Sequence, residues 1–305
     1  MTDRPVVSAQ DLGVFFSLPF MVAVSWLTSE PTWRSIANRA APFASAMLSR
    51  NQIALSNRIR EFAGQRQLPL APEDAALQIV ANEIEAAFQV VRDHSPVEWR
   101  PDIFIDGEEH LIAALSRGKG VILWVSHFSF ASLMTKMGLH RKGYLLNHLS
   151  RQEHGFSPTH LGIHVLNPVC TMTERRYLAS RIVMPEKNPG TVLEDLASLL
   201  HTNQVVSITV RSNSNQPVEA AFLDGTLRVA PGAPVLARNT DAALLPVFTK
   251  RIDGCRYCVR VDKPIDLSAA PTRREAVISA VNEYTGRLED EVLEHPGQWI
   301  EWINI

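Results

Sequence analysis

The chain has 305 residues, 46% hydrophobic and 20% charged, enough apolar material for one sizeable core. Thirty Lys and Arg against 32 Asp and Glu leave a net charge of −2, which gives no sign of a nucleic-acid binder and no cationic excess toward anionic lipid. Cys170, Cys255 and Cys258 form no disulfide framework and match a reducing cytoplasm; Cys255 and Cys258 have CxxC spacing without a second pair to complete a zinc site, and read as structural.

The first hundred residues read as helices at 8–27, 32–62 (broken near Pro42) and 72–93, with apolar positions such as Leu77, Val80, Ile84 and Phe88 at helical spacing. Within the first, Leu12 to Leu27 is mostly apolar. A bilayer span needs about 20 such residues, and this stretch is shorter, contains Pro19 and has no signal-peptide flanks. It reads as a helix on the core or as an interfacial helix in peripheral contact with a membrane, not as a span. After Pro96 strands are expected at 120–126, 143–148, 181–184, 204–210, 217–223, 243–249 and 256–264. Helices are expected at 108–116, 129–139 (with Ser129 as N-cap), 190–201, 231–240 and 271–293. That alternation predicts an α/β fold, a mainly parallel central sheet flanked by helices. The organisation is a helical N-terminal region, 1–95, packed on an α/β core, 96–305, in one structural domain.

The chemistry concentrates in Gly118-Lys-Gly-Val-Ile-Leu-Trp-Val-Ser-His127-Phe-Ser-Phe-Ala-Ser132. Its apolar run is a central strand, so His127 falls at a strand's C-terminal end, where open α/β sheets bind ligands. A histidine there is a general-base candidate. His148, His154, His160 and His164 follow at spacings of six, six and four, which match no metal-binding pattern, and no metal is assigned. Pro231 and Gly232 open a helix whose start offers free N–H groups, although every packed helix does the same.

The segment around His127 resembles the His-x4-Asp/Glu motif of the lysophospholipid acyltransferase superfamily, most closely its bacterial lipid A (lauroyl/myristoyl) branch. Three further blocks are similar in order: Asp106 to Leu123, Val218 to Phe248, and the ending His295-Pro-Gly-Gln-Trp-Ile-Glu-Trp. Together they cover roughly residues 100–302. The resemblance implies direct acyl transfer from an acyl-carrier-protein or coenzyme A thioester to a hydroxyl or amine, with His127 as general base and no cofactor beyond the thioester co-substrate. It also implies a cytoplasmic protein, peripheral on the inner face of the cell membrane where residues 12–27 touch lipid.

Two departures stand out. Ser132 occupies the place of the motif's carboxylate, and a hydroxyl can orient an imidazole but cannot neutralise an imidazolium. Arg211 and Ser212 stand where the branch commonly has an Asp-Gln pair. The expected catalytic residues are His127 and Ser132, with Arg151, Arg211, Glu219 and Asp224 as substrate-binding candidates and Glu219 or Asp224 as the carboxylate that reaches the ring. Ser132 as a nucleophile is the weaker reading: five helical positions turn about 140° from His127, and no Gly-x-Ser-x-Gly elbow surrounds it. The other alternative is a retired acyltransferase-like protein that binds an acyl chain or carrier without turnover.

Overall fold

The computed structural model describes residues 4–47, 52–185, 189–212, 214 and 216–305. Four helices come first: α1 (Ala9–Leu27), α2 (Glu30–Met47), α3 (Gln52–Ala63) and α4 (Pro72–Asp93). Neither Pro19 nor Pro42 breaks its helix, contrary to expectation at Pro42. Both prolines are exposed, as are Phe15 and Asn38 four positions earlier, so water can take the carbonyl that each missing N–H leaves. α1 starts on a capping box, Ser8 with Asp11.

The core alternates β1 (Asp102–Asp106), α5 (Glu108–Ser116), β2 (Val121–Val125), α6 (Ala131–Arg141), β3 (Leu146–Arg151), α7 (Asn167–Arg175), β4 (Leu178–Met184) and α8 (Pro189–His201). It continues with β5 (Val205–Thr209), β6 (Val218–Phe222), β7 (Gly225–Val229), α9 (Gly232–Thr240), β8 (Ala243–Asp253), β9 (Arg256–Val261) and α10 (Arg273–Glu294). Seven strands form one sheet in the order β1-β9-β8-β2-β5-β3-β4. All pairs are parallel except β8 with β9, and β6 and β7 form a separate antiparallel ribbon. The α/β expectation holds.

β2 is buried along its whole length between β8 and β5, as its unbroken apolar run requires. Gly120 before it has φ +73°, and a Cβ there would lie 2.6 Å from the Leu200 carbonyl oxygen, so the turn into β2 needs glycine. Alternate strand residues face opposite sides. On one side Trp124 packs on Tyr284 of α10, ring centroids 4.3 Å apart. On the other, Thr249 of β8 bonds Thr135 of α6, and Tyr257 packs with Phe130 in a cluster that takes in Met21, Trp33 and Phe88 of the N-terminal helices.

Several details differ from the sequence reading, among them β1 and β7, which it does not expect. Ser129 is not the N-cap of α6; Phe130 is, and the Ser129 hydroxyl donates to the Gln298 carbonyl instead. β3 starts three residues later than expected because α6, of the expected length but two residues further along, ends at Arg141 before the turn through Gly143 (φ +88°), and this carries Arg151 to the strand's end. A π-helical turn (Gly162–Leu166) leading into α7 fills what had no assigned element.

Candidate active site

The strand-end histidine is held by the C-terminus. Residues 127–129 pair with 298–300: the Ile300 N–H donates to the His127 carbonyl at 3.2 Å, and the Ser129 N–H to that of Gln298 at 2.8 Å. The closing signature makes this pairing possible. Trp299 packs against Phe222 and Trp302, Gln298 bonds the Arg251 backbone, and Asn82 donates to the Gly297 carbonyl. The next residue, Glu301, begins a 3-10 turn (Glu301–Asn304), and its carboxylate bonds Nδ1 of His127. A carboxylate only accepts, so Nδ1 carries the proton and Nε2 is left with its lone pair.

Thus a carboxylate does reach the ring, but it is neither suspect. Glu219 sits on the exposed face of the β6–β7 ribbon opposite Arg228, and Asp224 pairs with Arg66. Neither lines the cleft. Glu301 was in plain view in the closing block; the missing signal was the antiparallel pairing of residues 174 positions apart, which no local pattern encodes.

His127 opens on a cavity of about 300 Å³ over the C-terminal ends of β2, β3 and β5. The cavity straddles the sheet edge, and register sorts its walls. Trp124, Leu149, Met184, Leu193, Ile208 and Ala233 line the α8/α9 side, while Ser132, Thr135, Lys136, His148, His154 and Ser207 line the α6 side. One wall is apolar, the other polar.

Among the described residues no hydrogen bond joins Ser132 to the His127 ring. Its hydroxyl donates to Glu174 of α7, which also takes Lys136 at 2.6 Å and His154 Nε2 at 2.8 Å. Burial would raise the Glu174 carboxyl, but Lys136 and His154 outweigh it and hold the group well below its ordinary value. Burial lowers Lys136, opposed by Glu174, and drives His148 well below the usual histidine range, with Lys136's charge adding to the effect. His148 is therefore neutral, and Nδ1 lies 3.3 Å from the Ser207 hydroxyl. His160 and His164 stack on each other along an exposed stretch, apart from His148 and His154.

Arg151 and Arg211 both line the cavity, and Gly232 sits at its edge. Arg211 forms no side-chain hydrogen bond or ion pair among the described residues. Burial lowers its proton affinity, Glu301 opposes that and Arg151 reinforces it. Two guanidiniums therefore approach one space beside the histidine, an arrangement suited to an oxyanion.

No curated protein matches the chain. The profile of the bacterial lipid A biosynthesis acyltransferases matches residues 10–304, extending the similarity through the N-terminal helices that the sequence blocks left out. The chain belongs to the bacterial lipid A biosynthesis acyltransferase family.

Proposed function

We propose that this acyltransferase moves an acyl group from an acyl-carrier-protein or coenzyme A thioester directly to a hydroxyl or amine, with His127 as general base and Glu301 holding its ring. The observation that carries this reading is the Nδ1 bond to Glu301. It leaves Nε2 free to take the acceptor's proton and places a negative charge where the imidazolium forms. The acceptor then attacks the thioester carbonyl carbon, the C–S bond breaks, and the departing sulfur receives the proton from His127. The apolar wall takes the acyl chain, and Arg151 and Arg211 hold an anionic group of a substrate. Ser132 is a poor nucleophile in this arrangement because its proton is committed to Glu174 and not to the histidine.

The test is thiol release from acyl thioesters of several lengths, with and without amines and alcohols. Acceptor-dependent release with a matching amide or ester supports the reading. Acyl-chain binding without any release would make this a retired binder.

For membrane contact, the support is α1: it is long and apolar enough to cross a bilayer by length and composition, and only 22% of it is buried. Phe15, Phe16, Phe20 and Leu27 are exposed, yet Asp11 is tied to Thr159 and Trp26 to the Val91 carbonyl. This favours a helix docked on the protein with one face in the lipid interface. Release from membranes by carbonate or high salt is the expected outcome; a requirement for detergent would indicate a span.

A further inference from the structure

Glu174 fixes the protons of two groups that line the cleft. It is nine-tenths buried and ionised, so Ser132 and His154 Nε2 must both donate to it. Lys136 adds a further donor to Ser132, at 3.3 Å. What Ser132 still offers the cleft is a lone pair, and its side chain is exposed there, five residues after His127 on the wall of the same cavity. We infer that the acceptor is a primary amine, one N–H of which is received by Ser132 while His127 takes the proton lost on attack.

The inference deepens the acyl-transfer reading above and rests on it. An alcohol has one O–H, which His127 claims, so Ser132 would face it unpaired; an amine has a second hydrogen to give. Charge points the same way. A carboxylate at position 132 would hold an ammonium as its ion pair, and an ammonium has no lone pair for attack. A hydroxyl accepts an N–H without favouring the protonated form. Lys136, Arg151 and Arg211 line the cavity while Glu174, Glu153 and Glu301, which oppose their charges, do not, so an ammonium meets no carboxylate on the wall that would hold it protonated among the described residues. The amine nitrogen bonds to the thioester carbon, the C–S bond breaks, and the thiol leaves with the proton that His127 carried, giving an amide.

The experiment uses the purified full-length protein, a medium-chain acyl-coenzyme A, and the matched probes 2-aminoethyl phosphate and 2-hydroxyethyl phosphate. Amide and ester are counted by mass spectrometry, and both probes are titrated calorimetrically without donor. The wild type should favour the amine, and Ser132→Ala should shrink the amine-to-alcohol ratio about tenfold in rate and binding; Ser132→Thr, which keeps the hydroxyl, should restore it. Glu174→Gln should shrink it too, and Ser132→Ala keeps the test sound should that variant fail to fold. An unchanged ratio in Ser132→Ala, or equal binding of the two probes to the wild type, overturns the inference. Preferential amine binding lost in Ser132→Ala, without amide or ester, would support the amine site and refute acyl transfer.

Discussion

Two carboxylates serve the cleft in opposite ways. Glu301 meets one imidazole at the rim, where the histidine side chain is 28% exposed. Glu174 meets a lysine, a histidine and a serine in the interior, at 4% exposure. The first arrangement leaves its partner able to gain a proton, because Nε2 is uncommitted. The second takes the serine and the histidine on Oε1 and pairs with the lysine on Oε2, so its neighbouring donors are all directed at it. Position 132, where the family motif places the acid, has thus been absorbed into the rigid hub, and the acid that addresses His127 arrives from the other end of the chain.

The comparison breaks most visibly at His127. His127→Ala should lower acyl transfer about 10²–10⁴-fold with unchanged circular dichroism and melting, since the side chain lies at the rim and outside the apolar core. More than half of wild-type turnover would remove it from the chemistry. Lys136→Met tests the hub instead. Leaving Glu174 buried without its principal counter-charge should cost about 3–5 kcal/mol of folding stability, read as a lower denaturant midpoint; an unchanged midpoint would mean that the pair carries no structural load.

The sequence made the histidine legible and hid both carboxylates. His127 could be read because β2 is a continuous apolar run and a strand end is a place for chemistry. The helices 72–93 and 108–116 were found at their observed limits because their periodicity is local. The Glu301 contact depends on pairing between 127–129 and 298–300, and the Glu174 hub on packing α7 against α6, both long-range events. Glu219 and Asp224 drew attention only through the block that contains them, and burial, which sequence proximity does not report, decided against both.

A third substitution sharpens the contrast. Glu301→Gln should slow transfer about 10–100-fold by removing a charged hydrogen bond worth about 1.5–3 kcal/mol to the imidazolium. Ser132→Glu in that background should not rescue it, although it restores the motif's acid. The new carboxylate would lie beside Glu174, and like charges in a buried hub destabilise it. Rescue would show that position 132 still reaches the ring and that the two regions are less separate than the contacts indicate.

The smallest effect is on acid stability, and its sign follows from His148. Its folded-state proton affinity is depressed well below the ordinary value of 6.5, by burial and then by Lys136. Above that value neither the folded nor the unfolded state binds the proton. As pH falls below it, only the unfolded chain does at first, so stability is progressively lost until the folded pKa is reached. Glu174 acts in the same direction lower down: its depressed affinity contributes stability above its ordinary value of 4.5 that fades as the pH falls below it. Each group contributes a slope of at most about 1.4 kcal/mol per pH unit. Denaturant unfolding from pH 7 to 5 should therefore show the wild type losing stability faster than His148→Gln, whereas Glu174→Gln should differ in slope from the wild type only below about pH 4.5. Parallel curves for wild type and His148→Gln between pH 6.5 and 5 would mean that the histidine is not held neutral in the cleft wall.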